Sequence, residues 1–428
     1  MKRPLIAAAA IAAAVALGLS GCAGTPSSSS SAAAGGDAKT TLRVSVWNYA
    51  QTPEFKALFD AFHKANPNIT IQPVDILAAN YEDKVTTMLA GGDTTDIITV
   101  KNLTDYSGYA QKKQFVDVSA LAKSLPSEKI PALSNYKFDG ATYAIPYRQD
   151  FNVLYYNKTM FKDAGIADPE NLTWDEFAAD AKKLTKGDGA SKVYGAYIHT
   201  WNSMVQGIAA AQTGNNPNKP SYGWMKDQYN LTLGMQKDGT IMNWATANSQ
   251  QVQYKDVFEK QQAAMVPMGT WLIAPLLADK KAGTTNVDWG IAPLPQIKSG
   301  GKVVTDGGPT GFGINKNSKN VAAAKKFLQF AVSPAGAKAV VSVGIVPAYH
   351  SADITKAYFG LDGMPQDATS KKAFNPDTIN LDAPVAANTA AISTILNQEH
   401  QLIMTGSKSV DDGLTEMASR VKSEVLNQ

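Results

Sequence analysis

Residues 144–158 read AIPYRQDFNVLYYNK, and how this stretch is interpreted decides the fold. It enters through a strand-like run, Tyr143 to Pro146. It passes through four polar residues, Tyr147, Arg148, Gln149 and Asp150. It leaves through a β-rich run, Val153 to Tyr156, closing on Asn157 and Lys158. Pro146 has no N–H to give a ladder, so a central strand is expected to stop there. Two readings stay open from the segment alone. In one, the chain leaves one sheet and enters another. The polar tetrad then lies in the seam between two lobes, where small-molecule sites form preferentially. In the other, an edge strand ends at the proline and an ordinary core strand follows.

Upstream, Leu42–Trp47 alternates like a strand. Phe55, Leu58, Phe59 and Phe62 then fall at i, i+3, i+4 and i+7, one face of a helix. Ile69–Val74 reads as a second strand. Tyr81, Val85, Met88 and Leu89 stripe a second helix that Gly91 and Gly92 end. Asp96–Val100 is a third strand. The order β-α-β-α-β predicts a parallel sheet with helices on its faces. Ligands on such sheets bind beyond the carboxyl ends of the strands. Those ends deliver Trp47, Asn48, Tyr49 and Gln51 after strand one, and Lys101 and Asn102 after strand three. Downstream, Thr173 and Glu176 predict a capping box opening a helix striped by Trp174, Phe177, Ala181 and Leu184. Val193–Ile198 and Trp289–Leu294 read as strands, and Val252–Met265 as a helix. Gly307, Gly308 and Pro309 read as a break before a short strand, Phe312–Ile314. Helices follow over 321–332 and 334–341, with a helical tail over Ala386–Leu426.

Lys2 and Arg3 precede an apolar run, Leu5–Leu19. It is shorter than the roughly 20 residues that a membrane span needs. It ends in Leu19-Ser20-Gly21-Cys22, which resembles a bacterial lipobox. Residues 1–21 therefore read as a signal peptide, and Cys22 as the site of lipidation. Cys22 is the single cysteine of the chain, so no disulfide forms within it. Residues 22–40, with serines at 27 to 31, read as a flexible tether. The remaining body is long enough for two domains. Without Lys2 and Arg3 the 40 basic residues become 38 against 37 acidic ones. So balanced a charge argues against nucleic acid as a partner.

Several segments carry a family resemblance in their order. They are VWNYAQTPEFKALFDAF (46–62), LAGGDTTDI (89–97), YAIPYRQDFNVLYYNKTMFKDAGI (143–166), TWDEF (173–177), VPMGTW (266–271), WGIAPLP (289–295), GGPTGFGINKNSKN (307–320), KKFLQF (325–330) and GIVPA (344–348). Through them the chain resembles the family-1 extracellular solute-binding proteins of ABC transporters, the group that includes maltose-binding protein. One departure is Thr95, where the family often has proline before the aspartate of the third strand.

The resemblance implies an α/β, two-lobe, type II periplasmic-binding-protein-like fold. Each lobe would be a mixed sheet flanked by helices, with a hinge between the lobes. Residues 41–149 and 310–347 would form one lobe, and 150–309 and 348–428 the other. Crossings are expected near Gln149, Pro309 and Val346. It implies Trp271 as a sugar-stacking platform and Asp150 as an acceptor from sugar hydroxyls. Trp47, Asn48, Tyr49, Gln51, Lys101, Asn102, Arg148, Gln149, Gly308 and Trp201 complete the implied site. The implied partners are a carbohydrate and the permease subunits of the transporter. The protein would be a monomer, lipid-anchored on the outer face of the cell membrane of a Gram-positive bacterium.

The chemistry suits a sugar. An aromatic face offers an apolar platform to the C–H face of a pyranose, and carboxylates, amides and Arg answer its hydroxyls. Trp244 reads as structural, Trp224 as a weaker candidate, and Asp96 as a residue that orients backbone. His63, His199, His350 and His400 share no metal-ligand spacing. Neither a G-x-S-x-G elbow nor a phosphate-cradling loop occurs, so neither a metal, a cofactor nor catalysis is expected. An anchored secreted glycoside hydrolase and a receptor for a non-sugar solute remain the alternatives.

Overall fold

The structure is a computed structural model that describes residues 39–427. The expected signal peptide, Cys22 and most of the tether lie outside the described residues. The last tether residue, Thr40, already belongs to the first strand. Eleven strands are formed among the described residues. They are β1 (Thr40–Trp47), β2 (Ile69–Ile76), β3 (Ile97–Val100), β4 (Lys137–Phe138), β5 (Ala141–Thr142), β6 (Ala144–Asn157), β7 (Tyr194–Ala196), β8 (Ala263–Gly269), β9 (Trp289–Ala292), β10 (Val304–Ile314) and β11 (Thr378–Leu381). β4 and β5 form a small hairpin. The others run in the order β2-β1-β3-β10-β6-β8-β7, with β11 on β10 and β9 on β6.

β1, β2 and β3 are parallel, as the β-α-β-α-β pattern predicts. β10 returns antiparallel between β3 and β6. β6 pairs with β10 over its first half and with β8 and β9 over its second. One strand therefore serves two sheets, and the chain forms the expected two-lobe α/β fold. Its alternation shows in the core. Val153 and Tyr155 pack into one apolar cluster, while Leu154 and Tyr156 pack into another with Phe161, Phe177 and Leu184.

Two expectations about breaks fail. β6 does not stop at Pro146 but continues through it. Pro146 lies beside the register shift between Thr310 and Gly311, where the ladder is already irregular. On the opposite side this first half of the strand meets only the isolated bridge from Arg148 to Pro347 among the described residues. Likewise Gly307, Gly308 and Pro309 do not break β10 but lie inside it. A Cβ on Gly307 would stand 2.2 Å from the Asp150 carbonyl oxygen, so glycine is there for close approach of two backbones.

A third expectation, a helix over Val252–Met265, is also corrected. The helix covers only Tyr254–Glu259, and the buried strand β8 begins at Ala263. Gln261, at φ 56°, turns the chain out of the helix between them. The tail splits into helices Thr389–Met404 and Val410–Val421 around Gly406, whose φ is 74°.

Helix α1 (Pro53–Ala65) begins with proline at its first turn and buries Phe55, Leu58, Phe59 and Phe62. Each such side chain contributes about 1.5–3 kcal/mol. The same helix carries a buried Glu54 inward at its first turn. Helix α2 covers Tyr81–Ala90, and helix α3 covers Leu103–Gln111. The predicted capping box at Thr173 and Glu176 forms, opening helix Trp174–Leu184. That helix packs so closely on β7 that a Cβ on Gly195 would stand 1.8 Å from the Ala181 carbonyl oxygen. Gly195→Ala is therefore expected to destabilise the fold by about 1–3 kcal/mol, the range for overpacking. Chemical denaturation measures it, and a midpoint equal to the parent's would refute the close packing.

Candidate functional site

The β6–β10 ribbon builds the polar part of the site. Alternation puts Arg148, Asp150 and Asn152 on one face of β6. The pairs Arg148–Thr310 and Asp150–Gly308 set β10 beside them, with Asp306 two residues before Gly308. Arg148 is the hub. Its Nη1 donates to Glu54 Oε1 at 2.7 Å. Its Nε lies 3.0 Å from Asp150 Oδ2, as an ion pair rather than an aligned hydrogen bond. Its guanidinium also covers the Trp47 ring at 5.6 Å. The Thr270 hydroxyl donates to Asp150 Oδ1 at 2.8 Å.

All three charges are buried. Burial raises the pKa of Glu54 and of Asp150, with Arg148 pulling each back. The Gln149 N–H donates to the Val346 carbonyl at 3.1 Å, and Gln149 pairs with Pro309. The three expected crossing segments therefore run side by side at this point.

An aromatic wall stands beside this row. β8 ends at Gly269, paired with Asn152, and turns into Thr270–Leu272. Gly269 has no side chain to obstruct the Trp271 ring, which would lie 2.0 Å from a Cβ there. Trp271 is half-buried, and its side chain lies beside the Tyr254 hydroxyl. Trp201 is 44% exposed, and its ring centroid is 6.2 Å from that of Trp271. His199 meets Trp201 edge-on at 4.4 Å, and Tyr254 meets it at 5.8 Å. Burial lowers the His199 pKa to about 4, so its ring stays neutral at neutral pH.

The strand-end candidates occupy mixed positions. Trp47 is buried, edge-on to Phe55 and Tyr81. Lys101 reaches the same Trp47 ring at 5.7 Å, pairs with Glu82 at 2.8 Å and donates to the Ala78 carbonyl. Asn48, at φ 42°, accepts from the Ala78 N–H, so it braces the loop after β2. Tyr49 stacks on Phe59, and Gln51 is exposed. Asn102 caps α3 by accepting from the Asp105 N–H at 2.8 Å.

The structure thus brings Lys101, Trp47, Arg148, Asp150 and Gly308 into one chain of contacts or pairings. It brings Trp201 and Trp271 into a second group. Thr270, which bonds Asp150 and precedes Trp271, joins the two. Asn48, Tyr49, Gln51 and Asn102 belong to local turn, packing and cap structure. Asp96 orients backbone as expected, accepting from the Arg43 N–H and the Ser318 hydroxyl. Trp244 is buried and donates to the Thr200 carbonyl, and Trp224 donates to the Ser221 carbonyl.

Sequence reasoning missed Glu54, Asn152, Tyr254, Thr270, Asp306 and Asp382. Asn152 and Asp306 could have been found from the same alternation that selected Arg148 and Asp150. Nothing in the sequence around Asp382 sets it apart.

Residues 48–338 match the family model described as bacterial extracellular solute-binding protein. The chain is 25% identical over 295 residues to the multiple sugar-binding protein of Streptococcus mutans, covering 64% of this chain and 67% of that one. Among solved structures it resembles a sugar transporter from Rhizobium etli in an open conformation. The TM-score there is 0.75 at 34% identity, with 90% of this chain and 99% of the other covered. It also shares the fold of a Listeria monocytogenes ABC substrate-binding protein in complex with cycloalternan. That TM-score is 0.77 at 22% identity, covering 90% and 99% of the two chains. The matched span covers most of the chain: the chain belongs to the bacterial extracellular solute-binding protein family.

Proposed function

We propose that this protein captures a sugar, in particular an oligosaccharide, at the seam and delivers it to the permease of an ABC transporter. One observation carries the reading. An exposed Trp201 and a half-buried Trp271 stand beside a row of buried charged groups on a ribbon that serves both sheets. Rings supply the apolar platform, and Asp150, Arg148 and Gly308 border the space where hydroxyls would be read. The lobes are residues 41–149 with 310–347, and 150–309 with 348–428. They hinge at Gln149, Pro309 and Val346. Ligand shifts the population toward the closed form, which the permease reads. The protein acts as a monomer on the outer face of the cell membrane, held by lipid on Cys22. No turnover accompanies binding.

Isothermal titration against malto-, xylo-, arabino- and cello-oligosaccharides and glucosamine oligomers tests this. Binding of at least one at a Kd of about 1 μM or tighter is expected. Mass spectrometry of the released sugar should show it intact. Shortened products would establish hydrolysis instead, and no binding by any sugar would overturn the carbohydrate reading.

A further inference from the structure

Beyond Asp150 the ribbon carries a second acidic group. Asp382 follows β11, and its N–H donates to the Gly307 carbonyl at 3.3 Å. Its Oδ1 lies 3.3 Å from where a Cβ on Gly308 would stand. Asp306 Oδ2 lies 3.3 Å from the equivalent point on Gly207, and the Cβ of Asp382 lies 3.8 Å from it. Both residues therefore converge on Gly207, in the first turn of helix Gln206–Thr213. The Cβ of Ser203, two residues after Trp201 in the chain, stands 3.3 Å from the same point.

Among the described residues neither Asp306 nor Asp382 forms an ion pair, and the guanidinium of Arg148 is committed to Glu54 and Asp150. The Asn152 side chain lies beside the Asp306 carboxylate and favours its charged form, as the neighbouring backbone N–H of Ala383 does for Asp382. Two acceptors stay unpartnered within the protein. They are Asp306 Oδ1 and Asn152 Oδ1, in residues only 1% and 6% exposed.

The cluster is rich in acceptors and lacks a cation. A hydroxyl offers one donor, whereas an ammonium offers three, brings the opposite charge and needs no acceptor role. Pairing is what makes buried carboxylates tolerable. A calcium ion would need six to eight oxygens, and no group of three or more His, Cys, Asp or Glu able to hold a metal occurs among the described residues. We propose that Asp306 and Asp382, with Asn152, recognise a protonated amine on the captured solute, which is therefore a sugar bearing a free amino group. This rests on the carbohydrate reading and narrows it. Burial pushes Asp306 up to about 7, with Asp382 adding to the rise, and pushes Asp382 up to about 6. Asp150 and Arg148 are the next charged groups along the ribbon. An arriving ammonium favours both carboxylates ionised, so its binding releases protons near pH 6.5.

The test is calorimetric titration at pH 6.5, in two buffers of different ionisation enthalpy, with three probes. These are glucosamine oligomers, their fully N-acetylated counterparts, and 1,4-diaminobutane. Glucosamine oligomers should bind at least about tenfold tighter than the acetylated forms, with net proton release. Asp306→Asn and Asp382→Asn should each bring that ratio to within about threefold while the proteins still melt cooperatively. Asp60→Asn, on the exposed face of α1, should leave it unchanged. Acetylated forms binding as tightly as amines would overturn this inference and leave the carbohydrate reading standing. Diamine binding without binding of either glucosamine form would support the amine site and overturn its assignment to an amino sugar. No binding by any probe would overturn this inference, and the carbohydrate reading would then be decided by the other oligosaccharides.

Discussion

Arg148→Met is expected to lower the free energy of unfolding at pH 7 by about 3–5 kcal/mol, the cost of breaking a buried ion pair by removing one partner. Methionine keeps most of the volume, so the loss is electrostatic. The guanidinium holds Glu54 at 2.7 Å and Asp150 at 3.0 Å, and all three side chains are at most 10% exposed. Without it two carboxylates stay buried with one hydroxyl donor, Thr270, between them. Both already titrate above their ordinary range because of burial, and losing Arg148 raises them further.

The sign of the pH dependence follows. A carboxylate whose folded pKa lies above its unfolded value holds a proton that the unfolded chain releases. It is best tolerated at low pH and costs stability as pH rises through that window. The deficit of Arg148→Met should therefore narrow as pH falls from 7 toward 4. Urea denaturation at both pH values measures it. A constant deficit would assign the loss to packing, and no deficit would remove Arg148 from its place as hub. The triple variant Glu54→Gln, Arg148→Met, Asp150→Asn should recover part of the stability, because it removes all three charges together.

Trp271→Ala is expected to weaken binding of the best neutral oligosaccharide by about 30-fold or more, which is about 2 kcal/mol. The ring stands beside Trp201 and is oriented by Tyr254 and by the side-chain-free Gly269. Trp271→Phe keeps a platform and should retain most of the affinity. Trp201→Ala should cost less, since that ring is 44% exposed. The two tryptophans are close enough to couple, so the double variant should lose less than the sum. Titration of the four proteins decides it, and affinity unchanged in Trp271→Ala would take that ring out of the site.

Local pattern determined a good part of this protein. The stripe of Phe55, Leu58, Phe59 and Phe62 marks α1 because a helix repeats every 3.6 residues. Thr173 and Glu176 mark a helix start because the capping box is closed within four residues. The ordered segments from 46 to 348 were enough for the family and hence for two lobes. Position within the seam was legible for Arg148 and Asp150, which lie two apart on one strand face.

Only the tertiary structure decided that Pro146 and the Gly307–Pro309 run lie inside strands, since a partner strand sets where a missing N–H or a missing side chain does no harm. It also decided that Glu54 meets Arg148 and that Thr270 meets Asp150, contacts 94 and 120 residues apart. Asp306 and Asp382 belong together for the same reason: β10 and β11 pair. A sequence orders residues along one line and records periodicity within an element. Which charges share a buried face depends on pairing between elements, and that is settled only when the sheets assemble.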